Sequence, residues 1–360
     1  MSFTAHPLRI VLAVAVAVVA LSACSADPGP TTAPAESGDG PTTTGPAPAV
    51  VAERLDAPWS VAFHGDTPLI SERDTARIIE LGDGEPREVG AVGGVTSIGE
   101  GGLLGIAVHE GLLYAYSTGA GQNRIQRFEL TGTPGSLGLG EGTTILDGIP
   151  SASFHNGGRI AFGPDGMLYA TTGDAGATAL AQNLDSLAGK ILRMTPDGAV
   201  PDDNPFEGSH VYSYGHRNPQ GIAWTADGTM FASEFGQNTW DELNVIEAGG
   251  NYGWPEVEGI AGNDDYVDPV QQWRPSEASP SGMTVAGDSI YVANLRGERL
   301  RRIPLSDPAT SAELMVGEYG RLRDVVLTPE GGLWVLTNNT DGRGVPGPGD
   351  DRLLEFSPVP

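Results

Sequence analysis

HNGGRIAFGPDGMLYATTGDAG, residues 155–176, contains the unit from which the chain is built. An alternating apolar run, Ile160 to Phe162, meets a Pro-Asp-Gly turn signal, and a second short apolar run, DGMLYAT, leaves it. Turn residues between two such runs read as a pair of strands joined tightly. The same turn and strand recur as DTPLISE, EGLLYAY, DGTMFAS, GDSIYVA and GGLWVLT, which brings Leu69, Leu113, Leu168, Met230, Ile290 and Leu333 into register. An apolar strand precedes each copy: WSVAFH, LLGIAVH, GRIAFG, GIAWTA, GMTVAG and RDVVLT. A further strand follows each: ARIIEL, NRIQRFEL, GKILRM, DELNVIE, ERLRRIPL and DRLLEF. Six units of short strands, 43–62 residues apart, predict an all-β fold, a six-bladed β-propeller of four-stranded antiparallel blades over residues 50–360. Two packed sandwiches would leave the sixfold register without a cause. DRLLEF is expected in the blade built partly from the first strands near Val51, so that it closes the ring.

The 360 residues include 52 Gly and 28 Pro, which suits a fold with many turns. The formal net charge is −26, and no basic stripe offsets it, so nucleic acid and an acidic membrane surface are excluded as partners. Lys190 is the single lysine. At the N-terminus, Arg9 precedes an apolar run from Ile10 to Ala20, too short to span a bilayer comfortably. The run ends in Leu21-Ser22-Ala23-Cys24, which resembles the bacterial lipobox. Residues 1–23 are therefore expected to be a signal peptide and Cys24, the sole cysteine, to be lipidated. Residues 24–49, rich in Pro, Thr, Ala and Gly, read as a disordered tether. The expected location is the extracytoplasmic face of the cell membrane, with the lipid as the only membrane contact.

In a propeller the first strand of every blade lines the central channel, and their starting ends meet at one mouth. His155 lies 13 residues before Leu168, Glu100 13 before Leu113, and Arg217 13 before Met230. The same offset in the last blade falls on Gly320, beside Arg321 and Arg323. Separate blades thus send Glu100, His155, Arg217, Arg321 and Arg323 to one rim. Guanidinium forks match planar carboxylates, so the predicted ligand is a compact anion with several carboxylates.

GEGGLLGIAVH (99–109), the opening stretch, LAGKILRMTPDG (187–198), YGHRNPQGIAW (214–224), DELNVIEAGGNYGWP (241–255) and RLRDVVLTPEGGLWVLT (321–337) resemble the soluble quinoprotein aldose and glucose dehydrogenases. The likeness covers nearly all of 50–360, in order, and is most specific in YGHRNPQG with DELN and GGNYGWP. It implies a six-bladed propeller that uses pyrroloquinoline quinone (PQQ) and Ca²⁺ to oxidise a small aldose at its anomeric hydroxyl to the lactone, with an electron acceptor the sequence does not name; the N-terminal segment adds that the enzyme is an exported lipoprotein. By the same resemblance His155 is the general base and Arg217 and Asn218 hold the quinone oxygens. Arg321 and Arg323 clamp cofactor carboxylates, Arg296 stands where the family can have a lysine, and Glu100 touches the cofactor. The catalytic Ca²⁺ would rest on the backbone carbonyls of Gly236 and Gln237, and a second Ca²⁺ on the Glu242 side chain and the Tyr252 carbonyl. Glucose-active relatives can have Gln at the Glu100 position and Asp at the Phe154 position, so broad aldose specificity or a substrate other than glucose is expected. The short segment 174–188 suggests an open cleft. The alternatives from other classes are a non-catalytic propeller that binds cell-wall or other carbohydrate and a calcium-dependent propeller lactonase.

Overall fold

The structure, a computed structural model, describes residues 1–2, 47–82 and 86–356. The expected signal peptide, Cys24 and the tether up to residue 46 lie outside the described residues. The folded part opens with the strand Ala49–Ala52, one residue ahead of the expected boundary. Six separate antiparallel sheets follow one another, and the described residues contain a single short 3-10 helix, Thr178–Gln182.

Blade 1 comprises Pro58–His64, Thr67–Glu72, Arg77–Leu81 and Pro86–Ala91. Blade 2 comprises Leu103–His109, Leu112–Thr118, Gln122–Thr131 and Thr143–Pro150, with a two-residue addition at Gly138–Leu139. Blade 3 comprises Ile160–Phe162, Leu168–Thr172, Lys190–Met194 and Val211–Tyr214. Blade 4 comprises Pro219–Trp224, Met230–Glu234, Asp241–Ile246 and Gln271–Trp273. Blade 5 comprises Pro280–Ala286, Ser289–Asn294, Arg299–Pro304 and Ala312–Leu314. Blade 6 takes Leu322–Leu327, Leu333–Thr337 and Leu353–Phe356 from the end of the chain and Ala49–Ala52 from its start. In it Val50 pairs with Leu354 and Ala52 with Leu353, the expected ring closure.

All six matched repeat positions fall on the second strand of a blade. These strands are buried nearly end to end because both of their faces pack against neighbouring blades, so they read as continuous apolar and small runs. The outermost strands, such as Pro86–Ala91 and Ala312–Leu314, are far more exposed. The core is divided between blades. One cluster joins Leu336 and Leu353 of blade 6 to Ile70 and Ile79 of blade 1 across the closure. The innermost strands touch their neighbours in a complete circle around the axis. Two of them come together closely at Gly282, where an added Cβ would lie 1.8 Å from Asp324 Oδ1.

Candidate active site

The starting ends of the innermost strands do meet at one mouth. Trp59, Gln220 and Arg323 each hold the second position of such a strand, and all three line one cavity of about 350 Å³. The same cavity is lined by the predicted Glu100, Arg296, Arg321 and Arg323, with Arg73 and Arg343 in addition. Five guanidiniums against one carboxylate is a local inversion of the chain's acidic balance. Arg321 donates to Asp341 at 3.2 Å. Arg323 is held by neutral acceptors, Gln220 at 2.8 Å and Ser281 and Asn338 at 3.3 Å. Burial, together with the neighbouring guanidiniums of Arg321, Arg73 and Arg159, pushes its pKa down to about 9 against the pull of Asp341. An anion placed here therefore meets guanidiniums whose charge is only partly compensated.

His155 stands beside this cavity in a left-handed backbone conformation, φ 56°. Its N–H donates to Glu100 Oε2 at 2.9 Å, which ties it to the cavity wall. Its Nδ1 lies 2.7 Å from Asp174 Oδ1. Asp174 is fully buried and also accepts from Gly176 N–H at 2.7 Å and Trp254 Nε1–H at 2.9 Å. Burial alone would raise its carboxyl, but the His155, Gly176 and Trp254 donors hold it below its ordinary value. An ionised carboxylate only accepts, so in the neutral imidazole Nδ1 carries the proton and Nε2 the lone pair. Nε2 has no hydrogen-bond partner among the described residues. That is the arrangement of a general base oriented by a carboxylate. Phe154, exposed, sets its ring edge-on to the imidazole at 4.7 Å.

Arg217 and Asn218 arrive from the loop before blade 4. Both backbone N–H groups donate to Glu234 Oε1, while Glu234 Oε2 receives His216 Nδ1 at 2.8 Å. Asn218 is fully buried; its Oδ1 accepts from Gly157 N–H at 3.0 Å, and its Nδ2 has no partner. Arg217 Nε and Arg321 Nε are orphaned in the same way. Buried donors without acceptors are rare in folded proteins; Arg321 Nε at the arginine-lined cavity, with Arg217 Nε and Asn218 Nδ2 on the loop before blade 4, fits a missing polyanionic, carbonyl-bearing ligand such as PQQ.

Arg217 does not line the larger cavity. It lines a small one of about 10 Å³ with Gly236, Glu234, Glu242, Tyr252 and Glu258. Its guanidinium stacks over Trp254 and donates to the carbonyls of Phe235, at 3.1 Å, and Gly236. The Gly236 oxygen expected to carry the catalytic Ca²⁺ is thus engaged by Arg217 in this arrangement. The neighbouring turn is gathered by Glu258, whose Oε1 accepts from the N–H groups of Gln237, Asn238 and Thr239 at 2.6–2.9 Å. Glu242 is no solvated turn carboxylate. It sits buried within Asp241–Ile246, opposite Glu234, and burial plus that second carboxylate push its pKa up. Glu242 Oε1 accepts from Gly259 N–H at 2.7 Å and Oε2 from Asn244 Nδ2–H at 3.1 Å; the two carboxylates have no third ligating side chain beside them among the described residues, so the remaining oxygens of a Ca²⁺ shell would have to come from backbone carbonyls and water. The Tyr252 ring packs on His216 and its hydroxyl donates to Val245 O at 2.7 Å.

Asp174 was missed at sequence level although GDAG was in view; the available signal was an acidic residue just past the second strand of the blade that carries His155. Arg73, Arg343 and Glu258 follow no repeat position, so no periodic signal marks them. The segment 174–188 is not a plain loop. It carries Asp174, folds a 3-10 turn and is tied to blade 4 by Gln182, which donates to Asn251 at 2.9 Å and to the Trp254 carbonyl at 2.8 Å.

A family model described as glucose/sorbosone dehydrogenase matches residues 55–346. Quinoprotein glucose dehydrogenase B of Acinetobacter calcoaceticus is 33% identical over 261 residues, spanning 61% of this chain and 54% of that protein. The chain thus spans about half the length of this relative. An aldose sugar dehydrogenase of Escherichia coli is 29% identical over 354 residues, 86% of this chain and 92% of the relative. Among solved structures, the PQQ-bound form of an aldose sugar dehydrogenase from Streptomyces coelicolor is 52% identical and superimposes with a TM-score of 0.82, covering 85% of this chain and 96% of that one.

Proposed function

Because the chain belongs to the glucose/sorbosone dehydrogenase family, we propose that it is a PQQ- and Ca²⁺-dependent dehydrogenase that oxidises an aldose at its anomeric hydroxyl to the lactone. The observation that carries this reading is the His155–Asp174 pair, with Nε2 free, beside an arginine-lined cavity. His155 Nε2 takes the proton of the anomeric hydroxyl, and Asp174 holds the tautomer and stabilises the imidazolium that forms. Arg321 and Arg323 would hold cofactor carboxylates, with Arg296 at the exposed edge. Asn218 Nδ2 and the Arg217 guanidinium would hold the quinone oxygens, and once Arg217 turns to them the Gly236 and Gln237 carbonyls are left for Ca²⁺. When bound, PQQ supplies the acceptor for the hydride that leaves the sugar, and Ca²⁺ supplies a Lewis acid beside it. Glu242, Glu234 and the Tyr252 carbonyl suit a second Ca²⁺ that braces the Arg217 loop. Phe154 offers a flat apolar face where a sugar ring can stack, in keeping with broad aldose specificity or a substrate other than glucose. The N-terminal sequence supports export and a lipid anchor at Cys24.

Apoprotein supplied with Ca²⁺ and PQQ should reduce an artificial electron acceptor when given a panel of aldoses. His155→Asn, chosen because Asn tolerates left-handed backbone, should keep PQQ binding and lose turnover by about 10²–10⁴-fold. Glycan binding without turnover in the wild type would instead identify a carbohydrate-binding module.

A further inference from the structure

One carboxylate, Glu100, faces the arginine-lined cavity. Its position is built rather than incidental. Glu100 N–H donates to Ser153 O at 2.9 Å, and Gly99, at φ 63°, lets the chain approach so closely that a Cβ there would lie 2.1 Å from that oxygen. Glu100 Oε2 is committed to the backbone of His155. Glu100 Oε1 lies 3.3 Å from Arg343 Nη2. Arg343 belongs to the segment between the second and third strands of blade 6, whereas Glu100 precedes the first strand of blade 2. The pair therefore reaches over blade 1. Asp341 fixes the Arg343 end, since its Oδ1 accepts the Arg343 N–H at 2.9 Å and its Oδ2 accepts from Arg321. Among the cavity's four other guanidiniums, Arg73 is occupied by Asp74, Arg321 by Asp341 and Arg323 by Gln220, Ser281 and Asn338, while Arg296 is exposed and forms no ion pair with Glu100.

We propose that Arg343 is the counter-ion that allows Glu100 to face a polycarboxylate cofactor, and that the Glu100–Arg343 bridge is a cofactor-binding unit of this enzyme. The proposal rests on the quinone reading above. Arg343 is the one guanidinium among the described residues in direct ion-pair contact with Glu100, with Arg73 acting on it from farther off, so without Arg343 Glu100 would present a less compensated negative charge to the incoming carboxylates, and like charges in one cavity repel. Arg343 acts through Glu100, so its removal should matter only while Glu100 is charged.

The test is PQQ affinity of Ca²⁺-loaded apoprotein, read by calorimetry and by quenching of tryptophan fluorescence. Arg343→Ala should weaken binding at least tenfold. Arg343→Lys, which keeps the charge, should stay within about threefold of the wild type. Glu100→Gln keeps the acceptor for the His155 N–H and removes the charge, so it supplies the background in which Arg343 has nothing to neutralise. Adding Glu100→Gln to Arg343→Ala should restore affinity to within about threefold. Unchanged affinity in Arg343→Ala, or a double variant as weak as Arg343→Ala, overturns the proposal while leaving the quinone reading in place. A wild-type protein that takes up no PQQ overturns both. Should Arg343→Ala fail to fold, Arg343→Gln carries the same comparison.

Discussion

His155 acquires a role only through its neighbours. An imidazole with a free Nε2 is an ordinary surface group until an ionised carboxylate holds the other nitrogen, and Asp174 does so from a fully buried position. Asp174→Asn keeps the size and the hydrogen bond but permits the wrong tautomer, with the proton on Nε2. Turnover should fall by about 10²–10⁴-fold while PQQ affinity changes little. If turnover survives, His155 is not the base. The same motif is repeated without evident chemistry one blade on, where Glu234 holds His216 Nδ1. There both imidazole nitrogens are engaged, since His216 Nε2 meets Ser213 Oγ at 2.8 Å. One histidine is thereby left competent and the other structural.

Elements position these residues through loops that hang from strands. The segment that carries Asp174 is suspended from the chain's single lysine. Lys190, fully buried at the start of Lys190–Met194, donates from Nζ to the carbonyls of Leu180, Ala181 and Ala188 at 2.6–2.9 Å. Burial lowers its pKa from 10.5 to about 7. Between those values the folded chain binds fewer protons at this site than the unfolded chain, so the contribution of Lys190 to stability rises with pH, by up to about 1.4 kcal/mol per pH unit. Lys190→Met removes that dependence and strands three carbonyls, a cost of roughly 1–3 kcal/mol for each that water cannot reach. In urea unfolding, the stability gap between wild type and Lys190→Met should widen from pH 7 to pH 9. A gap that stays constant would mean that the amine remains charged inside the fold. At sequence level this lysine stood out only by being alone; two of its three partners, Leu180 and Ala181, lie on a 3-10 turn that propensity does not announce.

At the scale of the whole molecule, six similar blades form a ring that must be closed by two segments from opposite ends of the chain. Ala49–Ala52 covers the outer edge of Leu353–Phe356, and Leu55 exchanges backbone hydrogen bonds with Asp351. Deleting residues 1–53 uncovers that edge beside the buried Leu353 and Leu354, while deleting residues 1–46 leaves it paired. The longer deletion should lower the unfolding midpoint by ~5 °C or more and promote aggregation, and the shorter one should not. Equal midpoints would show that the N-terminal strand adds nothing to closure.

The amino-acid sequence by itself determined the number of blades, their strand order and the convergence of Glu100, His155, Arg321 and Arg323 on one mouth. Turn signals and apolar runs are local, and a repeated register turns local signals into a ring. Only the tertiary structure decided which carboxylate orients His155, which guanidinium compensates Glu100, and that Glu242 is buried opposite Glu234 rather than solvated in a turn. The first two pairings join side chains from loops without a common period, and the third joins facing residues on adjacent strands of blade 4. Their chemistry depends on burial, distance and the proton each partner carries, and none of these is a property of a residue's place in the chain.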